Sequence, residues 1–299
     1  MINQFSGEFA ALATAVFWTI TALAFESASM KVGSVAVNVI RLVIGFMFLS
    51  LFVWIRRGIF FPLDAQASNW YWLLLSGLVG FFFGDLFLFK SYTLIGSRFA
   101  MLIMTLVPPI TALMGWIILD ERLTVFNYIG MSVTFLGISL AIFSREENDS
   151  RLKLKLSPKG MLYAFGGALG QGGGLVLSKL GMGTYDPFAA TQIRIIAGLA
   201  AFGLLVTFLG RWNRVFDAFS NKKGMAGITI GSFFGPFLGV SFSLLSVKYT
   251  QTGIASTIMS LVPVFIIAPA VLFFRQKVTW MEITGALLSV FGVSLFFLL

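Results

Sequence analysis

The chain has 299 residues, 58% of them hydrophobic and only 11% charged, with a mean hydropathy of +0.93 and a formal net charge of +9. Soluble domains carry roughly 25% charged residues, so this composition excludes an ordinary soluble protein. Cysteine and histidine are both absent, which excludes disulfides, thiol chemistry, histidine–cysteine metal sites and histidine acid–base catalysis; no cofactor or metal is expected.

Ten apolar runs follow along the chain, at 8–25, 34–55, 70–90, 97–118, 125–143, 159–180, 187–209, 223–246, 252–274 and 279–298. About 20 apolar residues cross ~30 Å of hydrocarbon as a helix. With mostly short connections between the runs, the expected fold is an all-α polytopic protein of ten transmembrane helices, with the lipid bilayer as its obligate partner. The N-terminus, MINQFSGEFAALATAVFW, lacks the basic region of a cleavable signal peptide, so the first run is expected to be retained as a helix. Fourteen of the 21 Lys/Arg fall after odd-numbered helices and five after even-numbered ones, while Arg41 and Arg194 lie inside helices. By the positive-inside rule this places the odd loops in the cytoplasm and both termini outside.

The longest polar stretch, SREENDSRLKLKLSPKG (144–160), separates two related halves. Ile40-Arg41-Leu42-Val43-Ile44-Gly45 matches Ile193-Arg194-Ile195-Ile196-Ala197-Gly198 at an offset of 153. At an offset of 155, Met104-Thr105-Leu106-Val107-Pro108 matches Met259-Ser260-Leu261-Val262-Pro263, and Asp120-Glu121-Arg122-Leu123-Thr124 aligns with Arg275-Gln276-Lys277-Val278-Thr279. Gly130 pairs with Gly285, and Gly137 with Gly292. The division is therefore 1–145 and 159–299, joined by a polar linker at 146–158. Five helices is an odd number, so the second half enters the membrane upside down. Such inverted repeats typify secondary transporters, whose substrate site lies at the repeat interface.

A Pro-containing fourth helix, a turn of the form Asp120-Glu121-Arg122-Leu123-Thr124 and a Gly-spaced fifth helix, present twice, resemble the drug/metabolite transporter superfamily. The paired units are similar to its EamA-type domain over essentially the whole chain, and within it to the YddG-type bacterial amino-acid exporters. That resemblance implies a ten-helix carrier of the inner (plasma) membrane, functional as a monomer, exporting small metabolites such as amino acids by alternating access through a central cavity. The second turn departs from the pattern, with Gln276 where the first half has Glu121.

Helix 6 raises a question of its own, because GGALGQGGGLVLSKLG (166–181) sets glycines around one glutamine. Each glycine costs about 0.5–1 kcal/mol in a soluble helix. One explanation is close helix packing at the small-xxx-small spacing Gly166, Gly170, Gly174. The other is a Gly-lined cavity wall opposite Trp18 and Thr21, with Gly172 and Gly174 making room and Gln171 as polar contact. Tyr92, Met104 and Met259 are further cavity candidates, and Pro108 and Pro263 are candidates for kinks or gates. Intramembrane charges are functional suspects. Arg41 and Arg194 occupy equivalent positions, which suggests a shared structural role, whereas Asp85 has Val240 as its counterpart and is a cavity or network candidate. Lys179 lies at a helix end, where snorkelling to the interface is expected.

Gly170-x-Gly172 is no dinucleotide fingerprint, because no strand precedes it. The phenylalanines are spread around helices rather than arrayed for stacking, so no nucleic-acid partner is expected. Two alternatives stay open: a drug, toxic-cation or sugar exporter of the same fold, and an integral-membrane enzyme. An enzyme would need converging acid–base groups, and Asp85 is the one deep carboxylate. The mid-helix stretch ATAVFWTITAL (13–23) has no ionisable group, so transport without obligatory proton exchange is expected.

Overall fold

Backbone N–H and C=O groups in hydrocarbon must pair within their own segment, and apolar runs of this length do so as helices. The computed structural model describes residues 5–147, 157–262, 264–266 and 279–298, and no strand occurs among them. The first half comprises α1 (Ser6–Val32), α2 (Ser34–Arg57), α3 (Ala67–Gly77), a π-helical segment π1 (Leu78–Gly84), α4 (Asp85–Met104), α5 (Val107–Leu119) and α6 (Val125–Glu147). The second comprises α7 (Pro158–Met182), α8 (Pro187–Phe208), a short α9 (Trp212–Phe219), α10 (Lys222–Ser232), π2 (Phe233–Gly239), α11 (Val240–Tyr249), α12 (Thr252–Met259) and α13 (Trp280–Leu298).

Local sequence accounts for most boundaries. Asp186 caps α8 by accepting from Phe188 N and Ala189 N, with Pro187 pre-set at the first helical position. Gly33, at φ 83°, supplies the tight link between α1 and α2. The fourth expected span, 97–118, is not one straight helix. Its start continues α4, and turn residues Thr105 and Leu106 break it before Pro108 and Pro109, which have no N–H to donate backwards. The matching break falls at Ser260 and Leu261; Pro263 lies outside the described residues. Ile95 and Ala100 of α4 pack with Ala164 in a small apolar cluster of their own.

The repeat is visible down to single turns. π1 and π2 are both seven residues long and start 155 positions apart. Symmetry mates also pack reciprocally. A Cβ on Gly45 would meet Ile195 at 3.8 Å, and one on Gly198 would meet Leu42 at 3.1 Å. Likewise Gly130 approaches the Gly292 carbonyl, and Gly137 that of Gly285. In both pairs residue number rises on one helix as it falls on its mate, so equivalent helices run antiparallel. Only a two-fold axis perpendicular to the helices relates them in that way; the repeat is inverted.

The halves are also interleaved. α7 packs along α3, π1 and α4 of the first half, while α1 packs along α10, π2 and α11 of the second. The inter-repeat interface is thus the core of the molecule. One element has no counterpart in the expected spans. α9 buries Val215 and Ala218 but exposes Phe216 and Phe219, with Arg211 and Arg214 beside them, the pattern of a helix lying in the membrane interface.

Candidate functional site

The glycines of α7 let two backbones touch. A Cβ on Gly170 would sit 2.6 Å from Gly84 Cα, and one on Gly174 2.7 Å from Gly80 Cα, distances that no real side chain tolerates. Gly170 and Gly174 of α7 therefore mesh with Gly84 and Gly80 of π1. Ser76 reinforces the seam by donating to the Gly174 carbonyl at 2.7 Å. This approach sets Gln171 beside the residue that follows π1, and its Nε2 donates to Asp85 Oδ1 at 2.8 Å. π-helical turns are frequent at functional sites, and here one delivers the deep carboxylate.

Asp85 is 5% exposed and forms an ion pair with Arg41, which is itself 6% exposed. The Arg41 guanidinium is held between the rings of Phe25 and Phe89, each 5.5 Å from it. Arg194, the symmetry mate of Arg41, reaches the same region. Its guanidinium lies 4.9 Å from the Phe81 ring centroid, beside Gly80, and within electrostatic range of Asp85. Two guanidiniums and one carboxylate thus converge on π1, drawn from α2, α8 and α4, with Gln171 of α7 donating to the carboxylate. Sequence reasoning gives Arg41 and Arg194 a shared structural role and does not pair them with Asp85. The available signal was that one deep carboxylate must answer two deep arginines.

The other candidates lie elsewhere on the same framework. Trp18 and Thr21 pack on π2, against Gly239 and Gly235, the counterpart of the seam around Gln171. The Thr21 hydroxyl is satisfied by the Phe17 carbonyl at 2.8 Å. Gly172 faces Ile110 and Thr111 of α5. Met259 is buried in the main apolar core and Met104 is half-buried; Tyr92 lies within α4. Pro108 lines a groove of about 500 Å³ with Thr105, Trp116, Tyr128, Thr257 and Ser260, at both helix breaks.

A family model described as the EamA-like transporter family matches residues 5–143 and again 158–298. The chain belongs to the EamA-like transporter family. Its two matched segments are the two halves seen in the fold, and members of that family are transporters rather than enzymes. A solved crystal structure shares the fold at a TM-score of 0.74, with 17% sequence identity over 99% of this chain and 97% of its own. No curated protein sequence matches the chain significantly.

In this EamA-like transporter a polar network ties the two halves together at the face that carries the N-terminus. Lys179 donates to Glu121 Oε1 at 2.6 Å and to the Thr250 carbonyl at 2.7 Å. Glu121 Oε2 accepts from Thr252 N at 2.8 Å and from Thr252 Oγ1 at 2.6 Å. Thr250 Oγ1 in turn donates to Glu8 at 2.7 Å. Helices α1, α7 and α12 and the connections that carry Glu121 and Thr250 meet there, so Lys179 does not snorkel as its helix-end position suggested. Nearby, burial pushes Asp64 up, but the Tyr185 hydroxyl at 2.8 Å and the Arg57 guanidinium outweigh it and hold the carboxyl below its usual range.

Proposed function

We propose that this transporter exports small metabolites, with amino acids as the preferred class, across the inner membrane by alternating access around the Asp85 cluster. The observation that carries the reading is the convergence of two inverted, family-matched halves on one buried charged site. Interleaved inverted halves can rock about such a site and expose it to each face in turn. Both halves reside in one chain, so a monomer suffices. The Lys/Arg distribution orients the face with the Lys179–Glu121 network outward, and that network closes the described conformation to the outside. Asp85 is committed to Arg41 and Gln171, so it is poorly placed to shuttle protons, and cargo moves down its own gradient. A cationic drug is disfavoured, since it would meet two guanidiniums.

The test is flux in proteoliposomes containing only this protein, with radiolabelled amino acids, sugars and a lipophilic cation. Saturable amino-acid flux supports the reading. Flux confined to sugars or the cation replaces the cargo class, and no saturable flux of any probe overturns transport of small metabolites.

The outer seal yields a separate expectation. Glu121→Gln leaves the Lys179 charge with weaker acceptors, costing the closed state on the order of 1–3 kcal/mol. The native chain has no cysteine, so Ser256→Cys, one turn below Thr252, gives a single label. Its modification by an impermeant maleimide from the terminal face should accelerate about tenfold per ~1.4 kcal/mol in the Glu121→Gln background. Unchanged labelling would show that the network does not gate.

A further inference from the structure

The buried charges at π1 do not balance. Arg41 has its acceptor in Asp85, which also takes the amide of Gln171. Arg194 has no hydrogen-bonded acceptor among the described residues. It is 6% exposed, its Nε is unpartnered, and its contacts are the Phe81 ring and the longer-range field of Asp85. A guanidinium buried this deeply without an acceptor is costly, because a buried donor is normally paired. The repeat shows what is missing. The position equivalent to Asp85 in the second half is Val240, so the two symmetry-related arginines share one carboxylate. Glycine at position 80 leaves the guanidinium its space, since a Cβ there would lie 3.2 Å from a terminal nitrogen of Arg194.

We propose that Arg194 is the docking point for a carboxylate of the transported solute. The planar guanidinium fork matches a carboxylate in two parallel hydrogen bonds. Docking gives each guanidinium a carboxylate of its own, where the empty site offers one carboxylate to two guanidiniums. Gln171 donates its N–H to Asp85, which leaves its amide oxygen to accept from an ammonium group on the same solute. The class thus selected is a small carboxylate with a nearby amine. The inference rests on the transport reading for its physiological meaning, but the site can be tested without transport.

Purified full-length protein is unfolded thermally in sodium acetate and in sodium chloride of equal ionic strength. Acetate should raise the wild-type midpoint by about 3 °C relative to chloride if it occupies the site near saturation. Arg194→Met should show no difference, and Arg194→Lys, which keeps the charge and loses the fork, a smaller one; the lysine variant decides if the methionine variant fails to fold. An equal shift in wild type and variant, or none in wild type, overturns the assignment. In proteoliposomes, L-leucine should outpace L-leucinamide at least tenfold, and Arg194→Lys should erase that preference. Equal transport of the two by wild type also overturns it. Acetate stabilisation lost with Arg194, combined with no flux of any probe, would keep the site and overturn the transport reading instead.

Discussion

Replacing Gly170 or Gly174 with alanine should destabilise the protein by about 1–3 kcal/mol per site, the usual cost of forcing a methyl group into a packed contact. The added Cβ would fall 2.6 Å from Gly84 Cα at one site and 2.7 Å from Gly80 Cα at the other. In both cases the obstacle is backbone, which cannot rotate aside. α7 must therefore move off π1, and the 2.8 Å hydrogen bond from Gln171 to Asp85 is lost with it. Gly203 on α8 is the internal control. Nothing lies within 4 Å of a Cβ there, so Gly203→Ala should be neutral or gain up to ~1 kcal/mol from helix propensity. Denaturation midpoints of the three variants in detergent check this, and equal effects at all three would contradict a backbone seam.

Asp85→Leu should cost about 3–5 kcal/mol, because removing one partner of a buried pair strands the other charge. Here it strands Arg41 and Arg194 together. Adding Arg41→Met to the same chain should restore much of the loss, since one guanidinium disappears and methionine fills the slot between Phe25 and Phe89. Asp85→Asn, which retains a polar partner for Gln171 and Arg41, should lie between. Folded yield and thermal midpoint measure all three. If Asp85→Leu is as stable as wild type, or if the double variant is worse than the single, the pair is not what holds α2 to α4.

Much of the architecture was legible in the sequence because it is written in periodic signals. The paired motifs at 40–45 and 193–198 and at 104–108 and 259–263 gave the repeat, and an odd helix count gave its inversion. The family and the helical class followed from the same residues. The charged site was less legible. Arg41 and Asp85 are 44 residues apart, and nothing local to either names its partner. The seven-residue π segments share glycines at their third and seventh positions, Gly80 and Gly84 in one and Gly235 and Gly239 in the other, but nothing in that spacing announces a π turn. Lys179 and Glu121 each look like ordinary helix-end residues until tertiary packing joins them. The glycines of α7 were visible, but the surface that they meet was set by π1, whose geometry periodicity cannot show. α9 escaped notice because its eight residues are too few to register as a span.

Uptake of radiolabelled L-leucine into proteoliposomes, with the membrane potential clamped at zero and a pH gradient imposed or omitted, tests the transport account most directly. The account predicts saturable equilibration to the external concentration, indifferent to the pH gradient. Accumulation above the external concentration, driven by the pH gradient and abolished by Asp85→Asn, would contradict it.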